Sequence, residues 1–472
     1  LSLFIGDYDL PGEPNGSNLE VLREDMPRYH DLGVRIFSGE SSDNWGPNGL
    51  SYYLHSRILW DVDAVERIDE LTQDFVEKAF GDAHEPMAEF YALLDGSHPI
   101  KLSPTKIGLM YRHLADAWKR TSDEAVRERL KQLILYTRYA EMMHALREKR
   151  VSGDRRDEVI EELMQHVFAM RFTQMVHSRG FYSNANKVQD TDLRPDAEQW
   201  KSREANHEWH RDADWLLSEL NTFLTEGIEN NPVVEVDPKQ FSHDLVPATR
   251  LAHLSADMDR LREPSPRGTD RLRIFWTWIG SAPAEHTFSI RQRERKDRDG
   301  GWRTTHFRVY AMRDEDNEDL VFEQEIEADG ETHDVRVSFE AKKLHRIEFG
   351  MRSPIDWPED LPQTIERSKD YDYAPVYNCS NYFYVPRRTK YVGGYKRGSD
   401  RGVIHDAEGN PVHDFEEVGT GYFKVEVPPG HDGRLWTLRK YAGWIQLTTV
   451  PPFTAPHPED LLLPREVVER DQ

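Results

Sequence analysis

The stretch LSLFIGDYD (residues 1–9) joins a short apolar run to three polar side chains. A run of this kind is typical of a buried parallel strand that delivers side chains to the rim of a site. The same pattern recurs in VRIFSGESS (residues 34–42), where an apolar run again leads into polar residues. The two stretches therefore predict two strands of a parallel sheet, and their ends are the first place to look for function.

Each predicted strand is followed by a predicted helix. In the first unit, Leu19, Leu22 and Met26 lie on one stripe of a short helix, and Gly33 precedes the second strand. In the second unit, the stretch NWGPNG (residues 44–49) predicts a loop before the next helix. Alternating strands and helices predict a parallel sheet with helices outside it, and we assign this α/β region to residues 1–62.

The hydrophobic pattern changes twice farther along the chain. Within residues 63–235, apolar side chains recur at helical spacing, which predicts a bundle of amphipathic helices. Within residues 245–472 the spacing changes to two, and turn sequences such as Asp329-Gly330 separate the runs. This pattern predicts an antiparallel β-sandwich, with the proline-rich residues 451–464 as an extended C-terminal strap. The predicted fold class is a multidomain combination of α/β, α and β regions.

Composition and charge exclude some classes of partner. Hydrophobic residues make up 38% of the 472 residues, which is enough for packed cores, and the formal net charge is −24. Because this field repels nucleic acids and anionic lipid headgroups, we expect neither as a partner. The single cysteine, Cys379, cannot form an intrachain disulfide. We find no apolar stretch long enough for membrane insertion, and the first residues do not form a signal peptide.

Polar and aromatic residues after the two predicted strands form the candidate site. Asp7 follows the first strand and Glu40 the second, and in β/α barrels such strand-end loops build the active site. Because two carboxylates that flank a bond are recurrent in glycoside hydrolysis, these two are the candidate catalytic pair. Alternatively, they cap helices or pair with Arg35 or Arg57. The candidate substrate-binding residues, which can bond sugar hydroxyls or stack on a pyranose, are Tyr8, Glu13, Asn44, Trp45 and Asn48.

Two further features have a functional and a structural interpretation. His207 and His210 lie three apart on a predicted helix, a spacing that suits zinc, but no third-ligand motif accompanies them. Solvated helix histidines are therefore the favoured interpretation. The tyrosine-rich residues 371–395 predict either a platform for stacking sugars or a packed hairpin, and packing is favoured. We expect no metal site and no cofactor, and we find no phosphate-binding loop or nucleophile elbow in the sequence.

The residues around the second strand resemble a known bacterial family. Gly39-Glu40-Ser41, the stretch NWGPNGL (residues 44–50) and Leu59-Trp60-Asp61 resemble the family catalogued as domain of unknown function 4838. That family is related to glycoside hydrolase β/α barrels, and the order of elements is similar to the end of the barrel in family 84 and family 67 enzymes. The resemblance implies that the two strands are the last two of a (β/α)8 TIM-like barrel. It also implies that the main catalytic pair lies upstream of residue 1.

The resemblance implies a carbohydrate-active protein that is part of a glycoside hydrolase. The expected reaction is acid/base cleavage of a poly- or oligosaccharide, with enzyme activity depending on the presence of the full barrel. We expect a carbohydrate substrate and a secreted, periplasmic or cell-surface location in a bacterium. Two other functions stay open, namely non-catalytic carbohydrate binding or surface attachment, and a structural role for a decayed barrel.

Overall fold

The computed structural model describes residues 2–4, 18–40, 45–147, 154–178, 197–204, 207–211, 213–260, 274–297, 300–314, 317–349, 355–368 and 376–472. The chain divides into two units, Leu1–Val233 and Val234–Gln472. Helices dominate the first unit and antiparallel strands dominate the second, so the chain combines α and β structure as the sequence predicted.

The first unit begins with a strand–helix–strand arrangement and continues as helices. Its elements, in chain order, are β1 (Ser2–Phe4), α1 (Leu19–Asp31), β2 (Ser38–Glu40), α2 (Trp45–Trp60), α3 (Ile68–Phe80), α4 (His84–Leu94), α5 (Pro104–Arg120), α6 (Glu124–Arg147), α7 (Asp154–Ala169), α8 (Ala197–Lys201) and α9 (Leu217–Asn230). Among the described helices, none is long and apolar enough to cross a membrane.

The two parallel strands predicted at the start of the chain are neighbours. β1 pairs in parallel with β2, so that Phe4 lies opposite Glu40. Helix α1 lies between the two strands in the sequence and buries Leu22 and Met26, as its apolar stripe predicted. Over the ranges that the structure describes, β1 pairs with β2 alone and the strands do not close into a barrel. The α/β order is thus confirmed, and the eight-stranded barrel is not shown.

Two local predictions near the second strand are wrong. The apolar run predicts a strand from Val34, but β2 begins at Ser38, and Ile36 is 83% exposed. Residues 45–49 of the stretch predicted as a loop form the first turns of α2. A proline fits there because the first N–H groups of a helix have no intrahelical acceptor. Gly46 also fits, because a Cβ atom there would lie 2.0 Å from the sulfur of Met175.

Close helix contacts hold the rest of the first unit together. Tyr111 of α5 is fully buried, and its ring lies against Gly227 of α9, where a Cβ atom would come within 2.3 Å of the ring. Gly108 of α5 likewise lies so close to Asn231 that a Cβ atom would be 2.1 Å from the asparagine backbone oxygen. Because glycine has no side chain, α5 and α9 approach closely at these two positions.

The second unit is built mainly of short strands. Its elements, in chain order, are β3 (Leu245–Pro247), α10 (Ser255–Arg260), β4 (Ile274–Ile279), β5 (Ala284–Arg291), β6 (Thr304–Met312), β7 (Glu318–Glu327), β8 (Thr332–Phe339), β9 (Lys343–Phe349), β10 (Ile355–Asp356), β11 (Thr364–Glu366), β12 (Val376–Val385), β13 (Tyr391–Arg397), β14 (Val403–His405), β15 (Pro411–Asp414), α11 (Phe415–Val418), β16 (Gly421–Glu426), β17 (Arg434–Leu447), β18 (Phe453–Ala455), β19 (Leu462–Pro464) and α12 (Arg465–Asp471).

Two antiparallel sheets pack face to face in this unit. One is a three-stranded sheet in the order β10-β5-β8, and the other is a large sheet that includes β4, β9, β6 and β7. The rings of Phe288 and Phe307, one from each sheet, lie 5.0 Å apart. Val335 and Val337 of β8 are fully buried while their neighbours in the strand are exposed. The predicted alternation is therefore confirmed, and it produces a sandwich-like core.

The C-terminal strap and the tyrosine-rich stretch contribute to the core of the second unit. Part of the predicted strap forms β18, which pairs with both β11 and β12 and so lies inside the large sheet. Tyr382, Tyr384 and Tyr395 are buried, which fits packing and not an exposed platform. Tyr371 and Tyr373 lie outside the described residues.

Candidate functional site

Much of the predicted strand-end site lies outside the described residues. This is true of Asp7, Tyr8, Glu13 and Asn44. For Glu40 and Trp45 the structure describes the backbone, in which Glu40 ends β2 and Trp45 begins α2. The roles of these residues therefore remain predictions.

Asn48 and the two arginines offered as alternative partners are described. Asn48 lies in the first turns of α2 and is 5% exposed. Nη1 of Arg35 donates hydrogen bonds to the backbone oxygens of His30 and Val34. The guanidinium of Arg57 lies over the ring of Tyr53, 5.7 Å from its centroid.

A cleft in the first unit brings together aromatic, charged and imidazole side chains. Its volume is about 640 Å³. It is bordered by α6, α7, α9 and the segment between α8 and α9. The charged, aromatic and imidazole side chains that line it are Arg138, Glu162, His166, Glu208, Trp209, His210, Arg211, Trp215 and Phe223.

Ionic contacts hold the Trp215 wall of the cleft in place. Asp214 accepts a hydrogen bond from the Trp215 backbone N–H at 2.8 Å and pairs with Lys131 of α6, also at 2.8 Å. The guanidinium of Arg211 lies over the Trp215 ring, 4.2 Å from its centroid. Arg211 also pairs at 2.5 Å with Glu219, which lies in the first turn of α9. Contacts from α6, from α9 and from the segment between α8 and α9 therefore hold the indole ring of Trp215 in place.

A buried imidazole lies against the same wall. The ring of His166 makes edge contacts with Trp215 and Phe223, at 5.6 and 6.0 Å between centroids. Burial lowers the pKa of His166 to about 4, and the nearby charge of Arg138 acts in the same direction. Its Nε2 lies 2.9 Å from the backbone oxygen of Leu135, and because that oxygen can only accept, Nε2 carries the proton. At neutral pH, Nδ1 is thus the nitrogen with a free lone pair.

The charge of Arg138 is already compensated. Its Nη1 donates to Glu141 at 2.8 Å, and the same carboxylate accepts hydrogen bonds from Tyr111 and Asn231. Burial alone would lower the pKa of Arg138, but the charge and the hydrogen bond of Glu141, together with Tyr111 and Glu226, outweigh burial and raise the pKa. The guanidinium also lies 5.7 Å from the centroid of the Phe223 ring. Arg138 therefore offers directional hydrogen-bond donors with little excess charge.

The predicted helix that carries His207 and His210 is wrong, because these residues lie in a turn. Nδ1 of His207 accepts a hydrogen bond from the backbone N–H of Trp209, and Nδ1 of His210 accepts one from Arg171. The Nδ1 atom of each histidine therefore already accepts a hydrogen bond. Contacts with Arg171 and with the Phe168 ring hold the turn at a place where helical spacing alone predicted a helix. Across the described ranges, no group of three or more His, Cys, Asp or Glu side chains could hold a metal ion.

Sequence reasoning did not find this cleft. Because α9 begins only at Leu217, the rings of Trp209 and Phe223 reach the cleft from different segments. The signal that could have found it is the density of aromatic and charged residues in EWHRDADW (residues 208–215).

Comparisons with known proteins add little to this picture. No protein-family model matches the chain, and no curated protein matches it. A solved structure from Parabacteroides distasonis ATCC 8503, described as a "putative secreted protein", is similar over 49% of this chain and 85% of that chain. The identity is 11% and the TM-score is 0.10, which is too low to show a shared fold. The resemblance to the domain of unknown function 4838 family stays a prediction.

Proposed function

We propose that this chain is part of a carbohydrate-active protein and that the cleft in the first unit binds a saccharide. The observation that carries the proposal is the lining of the cleft, which combines the rings of Trp209, Trp215 and Phe223 with guanidinium, carboxylate and imidazole groups. Its volume of about 640 Å³ lies in the range of small-molecule sites, which combine apolar walls with a few polar groups.

The electrostatics of the lining support a hydroxylated ligand. Arg138 and Arg211 each have a carboxylate partner, so they present oriented N–H donors without a large net charge. Glu162 and Glu208 are exposed and can accept hydrogen bonds. Sugars offer apolar C–H faces to aromatic rings and hydroxyl groups that both donate and accept. The aromatic rings of the lining therefore match the C–H faces of a sugar, and its paired ions match the hydroxyl groups.

We also propose, from the resemblance, that the whole protein cleaves glycosidic bonds by acid/base chemistry. On this proposal β1, α1 and β2 are the end of a (β/α)8 barrel, and Glu40 and Asp7 are the candidate catalytic carboxylates. The parallel pairing of β1 with β2 supports it, because the carboxyl ends of the two strands then lie at the same edge of the sheet. A secreted, periplasmic or cell-surface location belongs to the same proposal.

The binding proposal is tested by replacing one ring of the cleft. Trp215→Ala should weaken the binding of oligosaccharides identified on a glycan array by about 10-fold, which corresponds to about 1.4 kcal/mol. Trp60→Ala is the matched control, because Trp60 is 92% exposed and lies outside the cleft lining. Isothermal titration calorimetry measures both affinities. Unchanged binding by Trp215→Ala with an unchanged melting temperature would contradict the proposal.

The cleavage proposal needs a separate experiment. In the whole protein with its complete barrel, Glu40→Gln should abolish release of reducing ends from a bound oligosaccharide while leaving the affinity within a few-fold of that of the parent protein, because glutamine keeps the shape of the side chain and removes its acid. Release of sugar at the parent rate by the variant would exclude Glu40 from the chemistry.

A further inference from the structure

Two carboxylates of the cleft have no positively charged partner among the residues that the structure describes. Glu162 of α7 and Glu208 of the segment between α8 and α9 both line the cleft, and both are exposed. The two arginines of the lining do not compensate these charges, because each of them pairs with a glutamate outside the lining. The carboxylates of Glu162 and Glu208 therefore leave the cleft with an excess of negative charge.

One tryptophan of the cleft has no cation over its ring in the part of the chain that the structure describes. Guanidinium groups already lie over the rings of Trp215 and Phe223. The ring of Trp209 instead lies nearly perpendicular to that of His207, with 5.0 Å between the centroids. Because the face of an indole attracts cations more strongly than the face of a phenol or a phenyl ring, Trp209 can contact a cation that the chain itself does not supply.

A buried imidazole adds a hydrogen-bond acceptor to the cleft. His166 is 8% exposed and lines the cleft, and the backbone oxygen of Leu135 accepts the proton of its Nε2 at 2.9 Å. No described residue donates a hydrogen bond to its Nδ1, so this nitrogen keeps a lone pair. Because burial lowers the pKa of His166 to about 4, the ring is neutral at pH 6 and accepts a hydrogen bond from a ligand.

We propose that the cleft prefers a saccharide that carries a protonated amine, such as a glucosamine unit, over a neutral saccharide. The identity of the ligand as a saccharide rests on the proposed function above. An ammonium group carries a positive charge and only donates hydrogen bonds, so it matches a carboxylate, an imidazole lone pair and the face of an indole. A neutral hydroxyl group gains nothing from the excess negative charge, and an acidic group is repelled by it.

The test compares three tetrasaccharides with the same β-1,4-linked backbone on the full chain at pH 6. Glucosamine tetraose carries amines, N-acetylglucosamine tetraose carries the corresponding neutral amides, and cellotetraose carries hydroxyl groups at the same position. Isothermal titration calorimetry should show that the amine form binds about 5-fold more tightly than either neutral form. Added salt should reduce this preference, because salt screens the attraction between exposed charges.

Removal of the two unpaired carboxylates tests their role in the preference. The double variant Glu162→Gln and Glu208→Gln should bind the three tetrasaccharides with affinities within about 2-fold of one another. Glu70→Gln is the matched control, because Glu70 is an exposed residue of α3 outside the cleft lining, and it should keep the preference. An equal loss of preference in the control would assign it to the net charge of the whole chain and overturn the inference.

The remaining outcomes separate this inference from the proposed function. Equal affinities of the parent chain for the three tetrasaccharides, or a preference for a neutral form, would overturn the inference and leave the saccharide cleft standing. If no tetrasaccharide binds, but methylammonium chloride raises the melting temperature of the parent chain and not that of the double variant, the saccharide is rejected and the cation site is retained. If methylammonium also has no such effect, both proposals fail.

Discussion

Replacing His345 with leucine should make the second unit less sensitive to acid. His345 lies in β9 directly opposite Thr277 of β4, and both side chains are fully buried. Burial lowers the pKa of His345 from its ordinary value of 6.5 to about 4, although the nearby charge of Glu340 acts in the opposite direction. The neutral ring packs edge-on against Phe339, with 5.2 Å between the centroids.

The sign and size of the effect follow from proton linkage. Above pH 6.5 neither the folded nor the unfolded chain binds a proton at this residue. Between pH 6.5 and pH 4 the unfolded chain takes up a proton that the folded chain cannot accept, so the free energy of unfolding falls as the pH falls. The loss amounts to about 2 kcal/mol at pH 5 and about 3 kcal/mol below pH 4, because one pKa unit corresponds to about 1.4 kcal/mol.

Urea unfolding at pH 7 and pH 5 measures this loss, and amide hydrogen exchange in peptides that cover Lys343–Phe349 reports on the sandwich itself. His345→Leu should lose about 2 kcal/mol less than the parent chain between the two pH values. Thr277→Val is the matched control, because it alters the buried position directly opposite His345 without removing a titratable group. Equal losses in the parent and in His345→Leu would refute the reasoning.

Two further substitutions test the packing and a buried ion pair. Gly108→Ala should lower the stability of the first unit by about 2 kcal/mol in thermal unfolding, because its Cβ atom would lie 2.1 Å from the backbone oxygen of Asn231. Gly49→Ala, whose Cβ atom would meet an aromatic ring at an ordinary 3.6 Å, should be neutral or stabilising, and a similar loss there would refute the explanation. Asp257→Ala should lower the stability of the second unit by about 3 kcal/mol in urea unfolding, because the buried carboxylate accepts two hydrogen bonds from Arg434. A loss below about 1 kcal/mol would mean that the pair contributes little beyond a surface salt bridge.

Local pattern was enough to predict most elements of the fold. The stripe that includes Leu22 and Met26 predicted α1, and the alternation at Val335 and Val337 predicted β8. These predictions succeed because the period of the apolar residues is a property of the local backbone, 3.6 in a helix and two in a strand. The start of the second strand at Ser38 was missed, because the register of a strand depends on the partner with which it pairs.

The cleft was beyond the reach of local pattern. Its rings and charges come from α6, α7, α9 and a turn, and they meet only because these elements pack together. The turn at His207 has helical spacing in the sequence, and contacts with Arg171 and Phe168 hold it instead.

The sequence by itself determined the α/β start, the helical middle and the antiparallel end of this protein. It determined them because hydrophobic periodicity and turn residues act over a few neighbouring positions. Only the tertiary structure decided which strands pair, that part of the C-terminal strap becomes a central strand, and which side chains surround the cleft. Each of these depends on contacts between residues far apart in the chain, and the energy of such contacts is set by packing and burial.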